Sequence, residues 1–220
     1  SVVMPDTHVV TNQVPPLLDY NPATAPVLVE ALEREGGGWG ADEVFALGAI
    51  AGGATAQRWG DLADRNRPIL HTHDRYGHRI DAIEYDPAYH ELMRTAIAHG
   101  LHAAPWADDR PGAHVVRAAK MGVWAPEPGH VCPISMTYAG VPALRHNPDL
   151  AAVYEPLLTS REYDPELTVP ATKAGITAGM SRWSTGPRNT TDSSTPSATA
   201  AASIAGRNGP SPAITNDASG

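Results

Sequence analysis

The chain has 220 residues and a mass of 23.2 kDa, with 24 acidic against 16 Lys and Arg side chains and a formal net charge of -8. That balance, with no basic run, argues against a nucleic-acid contact, because phosphates are gripped by clustered Lys and Arg. The single cysteine, Cys132, excludes an intramolecular disulfide framework. Every apolar stretch is cut by Gly, Pro or a charge before it could span a bilayer, and Ser1 to Pro5 lack the features of a signal peptide. The expected setting is therefore cytoplasmic, with no membrane contact.

Thr7 to Leu18 contains Pro15 and Pro16 and no helical period, which predicts an extended arm. The first helix is expected from Pro26 to about Glu35, with Thr24 as its cap, Val27, Leu28, Ala31 and Leu32 on one stripe, and Gly36 to Gly38 as its stop. A second begins near Asp42 with a broad apolar face of Val44, Phe45, Leu47, Ile50 and Ala51. A third carries Ala56, Trp59, Leu62 and Ala63. From Pro68 to Tyr85 the period changes, which fits a small hairpin or irregular excursion. Pro87 then opens a helix with Leu92, Met93, Ala96 and Ile97 on one face and Gly100 as its stop. Another follows Pro111, carrying Val115, Val116, Ala119 and Val123, and ends before Pro126 and Pro128.

The stretch from Gly129 to Pro142 reads as a loop closing on Cys132, with Pro133 at a first helical position. One or two helical turns follow, and Ser135, Met136, Thr137 and Tyr138 could form a surface that packs on a flat ligand. The alternative is a buried helix with back-bonded hydroxyls. A short helix capped by Asn147 or Asp149 comes next, then Ser160 to Pro165 and an extended run from Leu167 to Met180. From Arg182 to Gly220 the large aliphatics are Ile204 and Ile214 alone among Ser, Thr, Ala, Gly, Pro and Asn, so a disordered tail is expected.

The candidate chemistry is sparse. His71 and His73 could share one strand face, with His78 or His90 as third metal ligands, yet the spacing is unspecific and solvated histidines are the simpler reading. His90-Glu91-Leu92-Met93-Arg94 lacks the second histidine of a zinc-protease helix. The Gly36 to Gly40 cluster follows a helix and has no Gly-Lys-Ser/Thr ending, so it is a turn and not a phosphate loop. Cys132 has no base implied beside it. No metal site and no catalytic residue is assigned.

Several blocks, in one order from Thr7 to Ser181, resemble the N-terminal domain of acyl-CoA dehydrogenases of the AidB-like, alkylation-response branch. They are Thr7-His8-x-Val10-x-Asn12-Gln13 with Pro15 and Pro16, Glu33-Arg34-Glu35-Gly36-x-Gly38-Trp39, Pro87-Ala88-x-His90-x-Leu92-Met93, Cys132-Pro133-Ile134-Ser135-Met136-Thr137, Leu158 to Asp164, and Lys173 leading to Gly179-Met180-Ser181. The resemblance implies a mainly α fold: a helical N-terminal domain over 1–181, carrying the short hairpin or excursion, and a low-complexity tail over 182–220. In that family FAD lies between a following β-barrel and the helices, and acyl-CoA thioesters of fatty acid metabolism undergo αβ-dehydrogenation, with a carboxylate base from a C-terminal domain. By resemblance, Met136 and Thr137 line the flavin and acyl side, and Gly179, Met180 and Ser181 begin the flavin strand.

Family members continue there with Met-Thr-Glu-x-x-Gly-Gly-Ser-Asp, whereas this chain reads Arg182-Trp183-Ser184-Thr185-Gly186-Pro187. The expectation is a truncated relative without autonomous activity and without retained FAD. The competing reading is a non-catalytic helical interaction module that forms a homo-oligomer or docks on a full-length relative.

Overall fold

A computed structural model describes residues 17–166, 168 and 172–178. Most of the expected arm, the boundary at Ser181 and the whole 182–220 tail lie outside the described residues.

Helix α1 spans Pro26–Arg34, with proline at its first position and Leu32 buried. Thr24 is not its cap. Asn21 instead accepts the Ala23 amide at 2.9 Å to start a 3-10 turn, and the Thr24 hydroxyl donates to Asn21 O at 2.8 Å. Helix α2, Ala41–Ala51, buries Val44, Leu47 and Ala51 at i, i+3 and i+7. Phe45 and Ile50, expected on that face, are 54% and 40% exposed, and Val27 of α1 is 76% exposed. The apolar stripes are narrower than their composition, because a helix between a neighbour and solvent has only one side to bury. Helix α3, Ala54–Arg65, turns Ala56 and Gly60 inward and packs Trp59 and Ala63 on the same core. A Cβ at Gly60 would collide with Pro126 O, so this glycine sets how closely the chain after the sixth helix approaches α3.

The change of period at Pro68 is a hairpin. Strand β1, Ile69–His73, pairs antiparallel with β2, Arg79–Glu84, with a register shift between His71 and His73. Its turn is built by Asp74, whose Oδ1 accepts the amides of Tyr76 and His78 at 2.8 and 2.9 Å. Ile69, Leu70, Ile80 and Ile83 are all exposed.

Helix α4, Pro87–Ala98, is capped by Asp86 and buries Leu92, Met93, Ala96 and Ile97 as its spacing predicts. Gly100 ends it at φ 73. A single turn, α5, Ala104–Ala107, follows and was not legible as an element. Helix α6 spans Ala113–Val123, short of the two prolines. Helix α7 runs Val131–Leu144 and α8 Pro148–Thr159, the latter capped by Asn147, which accepts the Leu150 amide at 3.2 Å. Helix α2 packs on α6, α3 on α4, and α7 on α8.

Two cores result. The larger holds Leu47, Leu92, Met93, Leu101 and Trp124; the smaller holds Ala103, Val141, Leu144, Leu158 and Ile176. Helix α7 enters the first through Ile134 and the second through Val141 and Leu144. It does so with Pro142 inside it. A proline there supplies no amide for the carbonyl four residues earlier, which is Tyr138 O. The Trp106 indole donates to that oxygen at 2.8 Å, replacing the missing helical bond from the side of α5.

Two measurements check this account. Trp106→Phe should cost about 1–3 kcal/mol in urea unfolding because it strands the Tyr138 carbonyl. In a Pro142→Ala background, where the restored backbone amide can donate the helical bond, most of that cost should vanish; strictly additive losses would sink the explanation. His102 is buried, its Nε2 2.8 Å from Ser160 O, and burial brings its pKa down from 6.5 to about 4. The native ring stays neutral while the unfolded chain takes up a proton below about pH 6.5. Stability is therefore full above pH 6.5 and falls as the pH drops towards 4, by about 2–3 kcal/mol for this group. His102→Gln, whose amide can still reach Ser160 O, should flatten that part of the pH profile.

Candidate functional site

A cleft of about 450 Å3 opens among the described residues. Its walls come from Ala63 and Asn66 at the end of α3, Pro68 ahead of β1, Tyr85, Asp86 and Tyr89 where the hairpin enters α4, the turn at Glu127 and Gly129, and α7. Cys132, Pro133 and Met136 are the α7 residues that line it, and Thr177 and Ala178 close it from the outgoing segment. Cys132 and Met136 are four residues apart and so lie on one helix face.

Tyr85 and Tyr89 stack in near-parallel planes, with centroids 4.3 Å apart and an interplanar angle of 15°. Burial raises the pKa of Tyr89 well above its ordinary value, so its phenol stays protonated. Asp86 lines the cleft as well, but its oxygens are committed: Oδ1 accepts the Ala88 amide at 2.8 Å and Oδ2 accepts Asn66 Nδ2 at 2.7 Å. Glu127 is committed too. Its carboxylate accepts the amides of Gly129 and His130, the latter at 2.8 Å, and stands 3.3 Å from His130 Nδ1. These are the free amides ahead of α7, so Glu127 does there what an N-cap side chain does. His130 is fully buried, and desolvation lowers its pKa although Glu127 opposes the shift.

The positions singled out from the sequence separate. Helix α7 begins at Val131, ahead of the expected start, and continues for 14 residues instead of one or two turns. At about 100° per residue, four consecutive side chains cannot share one surface. Ser135 is exposed, Met136 is half-buried in the cleft wall, Thr137 is fully buried, and Tyr138 packs between Trp106 and His114. Thr137 combines the two readings of the segment. Its hydroxyl donates to Pro133 O at 2.7 Å, the back-bonded pattern, and accepts the Ala178 amide at 2.9 Å. It therefore pins the backbone that leads into Gly179. Gly179, Met180 and Ser181 lie outside the described residues.

The Leu158 to Asp164 block fastens the same region. Ser160 O takes the His102 ring, and the Tyr163 hydroxyl lies 2.7 Å from His90 Nδ1 of α4. Burial pushes the Tyr163 pKa up to about 12 and lowers that of His90, so the phenol donates to a neutral ring. Asp164 accepts from Lys173 Nζ at 3.2 Å and from the Ala174 amide at 3.3 Å. Among the described residues no group of three or more His, Cys, Asp or Glu could hold a metal ion. His71 instead meets Glu84 Oε2 at 2.8 Å, and His78 meets Asp74. No helix among them is long and apolar enough to cross a membrane.

Sequence reasoning missed Tyr85, Tyr89, Asp86, Glu127 and Thr177. The tyrosines had a signal, their i, i+4 spacing at a helix start. Glu127, one acid between two prolines, had none.

The class of fold is a helical lobe of eight α-helices among the described residues, with one two-stranded hairpin and a cleft closed by the segment of Thr177 and Ala178. The chain belongs to the adaptive response protein AidB N-terminal domain family, whose model it matches over residues 12–165. It is 38% identical over 181 residues to the putative acyl-CoA dehydrogenase AidB of Escherichia coli K12, a match covering 79% of this chain and 33% of that protein. In fold it is similar to a solved structure described as Bd2924 in its apo form, with TM-score 0.61 and 24% identity, over 70% of this chain and 30% of that one. It is also similar to Caenorhabditis elegans ACDH-11 in complex with C11-CoA, with TM-score 0.60 and 22% identity, over 79% and 30% of the two chains. The chain thus spans about a third of the length of the relatives it matches.

Thr137→Val should lose the Ala178 tether while keeping the shape of the helix. Amide exchange at Ala178 should accelerate at least about tenfold, with about 1–2 kcal/mol lost in unfolding. Unchanged exchange there would mean that the hydroxyl does not hold the segment at Ala178.

Proposed function

We propose that this chain is the helical lobe of an acyl-CoA dehydrogenase-type flavoprotein of the cytoplasm, and that the lobe forms one wall of a site for flavin and an acyl-CoA thioester without carrying the chemistry. One observation supports this best: the cleft is walled by Met136 and by Thr177 and Ala178, the residues just before Gly179, so the cavity and this segment belong to one site. In this reading Gly179, Met180 and Ser181 continue that wall, with Ser181 as the boundary of the domain.

The donor set fits only part of FAD. The stacked tyrosines, Pro133 and Met136 suit a flat or apolar group, but among the described residues no Lys or Arg lines the cleft, and the carboxylates of Asp86 and Glu127 face it. A pyrophosphate needs cations or free amides, and the amides ahead of α7 are already taken by Glu127. The residues present therefore do not fit the whole dinucleotide, and no catalytic step is derived through it. Nor does the cleft offer a base for abstracting an α proton, since both carboxylates are held by protein donors. Catalysis in this reading needs groups from outside the lobe.

A second reading, a non-catalytic module that docks on a full-length relative, is favoured by the hairpin, whose Ile69, Leu70, Ile80 and Ile83 all face solvent. Purification with excess FAD separates the two from an autonomous enzyme. The expected product is colourless and leaves an acyl-CoA unoxidised in the presence of an electron acceptor dye. A stoichiometric yellow protein that reduces the dye would overturn both readings. Co-purification with a full-length homologue, abolished by Leu70→Asp, would favour docking.

A further inference from the structure

On another side of α7 lies a second recess, of about 40 Å3, between α2, α5, α6 and the segment leaving α8. Tyr138, beside it, is two residues and about 200° around the helix from Met136. Four cations line the recess, Arg110, Arg117, Lys120 and Arg161, against two carboxylates, Glu43 and Asp108. Both carboxylates are already spoken for. Lys120, which is 4% exposed, pairs with Glu43, and Arg110 pairs with Asp108 at 3.1 Å.

That leaves two guanidinium groups unmatched. Arg117 is clamped, its Cζ 3.6 Å from the Tyr138 ring centroid and its Nε donating to Leu101 O at 2.8 Å. Arg161 lies across Gly100, where a Cβ would stand 3.3 Å from its Nη2. Among the described residues, neither the terminal nitrogens of Arg117 nor the guanidinium of Arg161 has a hydrogen-bond or ion-pair partner. Arg117 is half-buried, and holding a guanidinium there without a counterion is unfavourable, whereas Arg161 stands exposed at the mouth of the recess. Burial correspondingly lowers the Arg117 pKa, and the cluster's charge helps to depress the nearby histidines, Lys120 and Arg161 acting on His99, and Arg161 and Arg117 on His102.

We propose that this recess binds a dianionic phosphoryl group, gripped by the free nitrogens of Arg117 and Arg161, with Lys120 and Arg110 supplying surrounding charge. The fork geometry of guanidinium suits tetrahedral oxyanions, and two uncompensated cations match a dianion. The recess has room for one such group, so a larger ligand would present its phosphate there and leave its remainder outside. The site shares no lining residue with the cleft at Met136, and its existence does not depend on how that cleft functions.

Titration of the 220-residue chain with inorganic phosphate, at ionic strength held constant by chloride, tests the proposal. Saturable binding is expected by calorimetry, with broadening of the phosphorus resonance. Arg161→Gln, an exposed change that should leave folding intact, should weaken it by about tenfold or more. Arg79→Gln on the hairpin should leave it unchanged. ADP and adenosine distinguish the source of the phosphate: ADP binding tighter than phosphate identifies a nucleotide phosphate, equal binding a free one, and adenosine should not bind. Absence of saturation, a response that chloride alone reproduces, or full binding by a folded Arg161→Gln protein would each overturn the proposal.

Discussion

Helix α7 has to belong to two cores at once, and the rest of the structure follows from how it manages that. Ile134 commits its first half to the core built on α2, α4 and α6, while Val141 and Leu144 commit its second half to the core shared with α8. Helices between two packed layers have little freedom to relocate, so every backbone group they lose must be satisfied where it stands. Glu127 serves the amides at the start, and Trp106 serves the carbonyl that Pro142 strands. The hydroxyl of Thr137, fully buried, turns the remaining side into an anchor for the chain that leaves the domain.

This arrangement divides the surface of the lobe by charge. The cleft beside α7 has aromatic and thioether walls and two carboxylates held by backbone amides, and among the described residues no cation lines it. The positive charge gathers elsewhere, around Arg117 and Arg161, although the chain is acidic as a whole. A net charge of -8 argues against a broad basic face and says nothing about a recess whose cations come from α6, the loop before it and the segment after α8. Local field and net charge are separate properties.

The hairpin stands apart from both cores. It is a two-stranded sheet with every apolar side chain of its strands at least partly in water, and such a sheet has little stability of its own. Its register is held by the Asp74 turn and by the Leu70 and Ile83 cross-strand pair. The exposed faces are available for burial against further polypeptide, which accords with relatives about three times as long.

Much of the local architecture was legible because it depends on spacing within a few residues. Pro87, the i, i+4 apolar pairs of α4 and the stop at Gly100 together write one helix into the chain directly. The break at Pro68 announced a hairpin or an irregular excursion, of which the structure shows the hairpin, and the ordered blocks announced the family. What the sequence could not decide was direction. Whether Phe45 and Ile50 face inward depends on what stands opposite α2, and whether Met136 and Thr137 share a surface depends on how long α7 continues past Pro133. The cleft pairs residues near 85 with others near 132 and 178, and the recess pairs residues near 117 with Arg161. Propensity and period are set by neighbours along the chain, whereas a site is set by which distant segments exclude water together, and only the folded packing determines that.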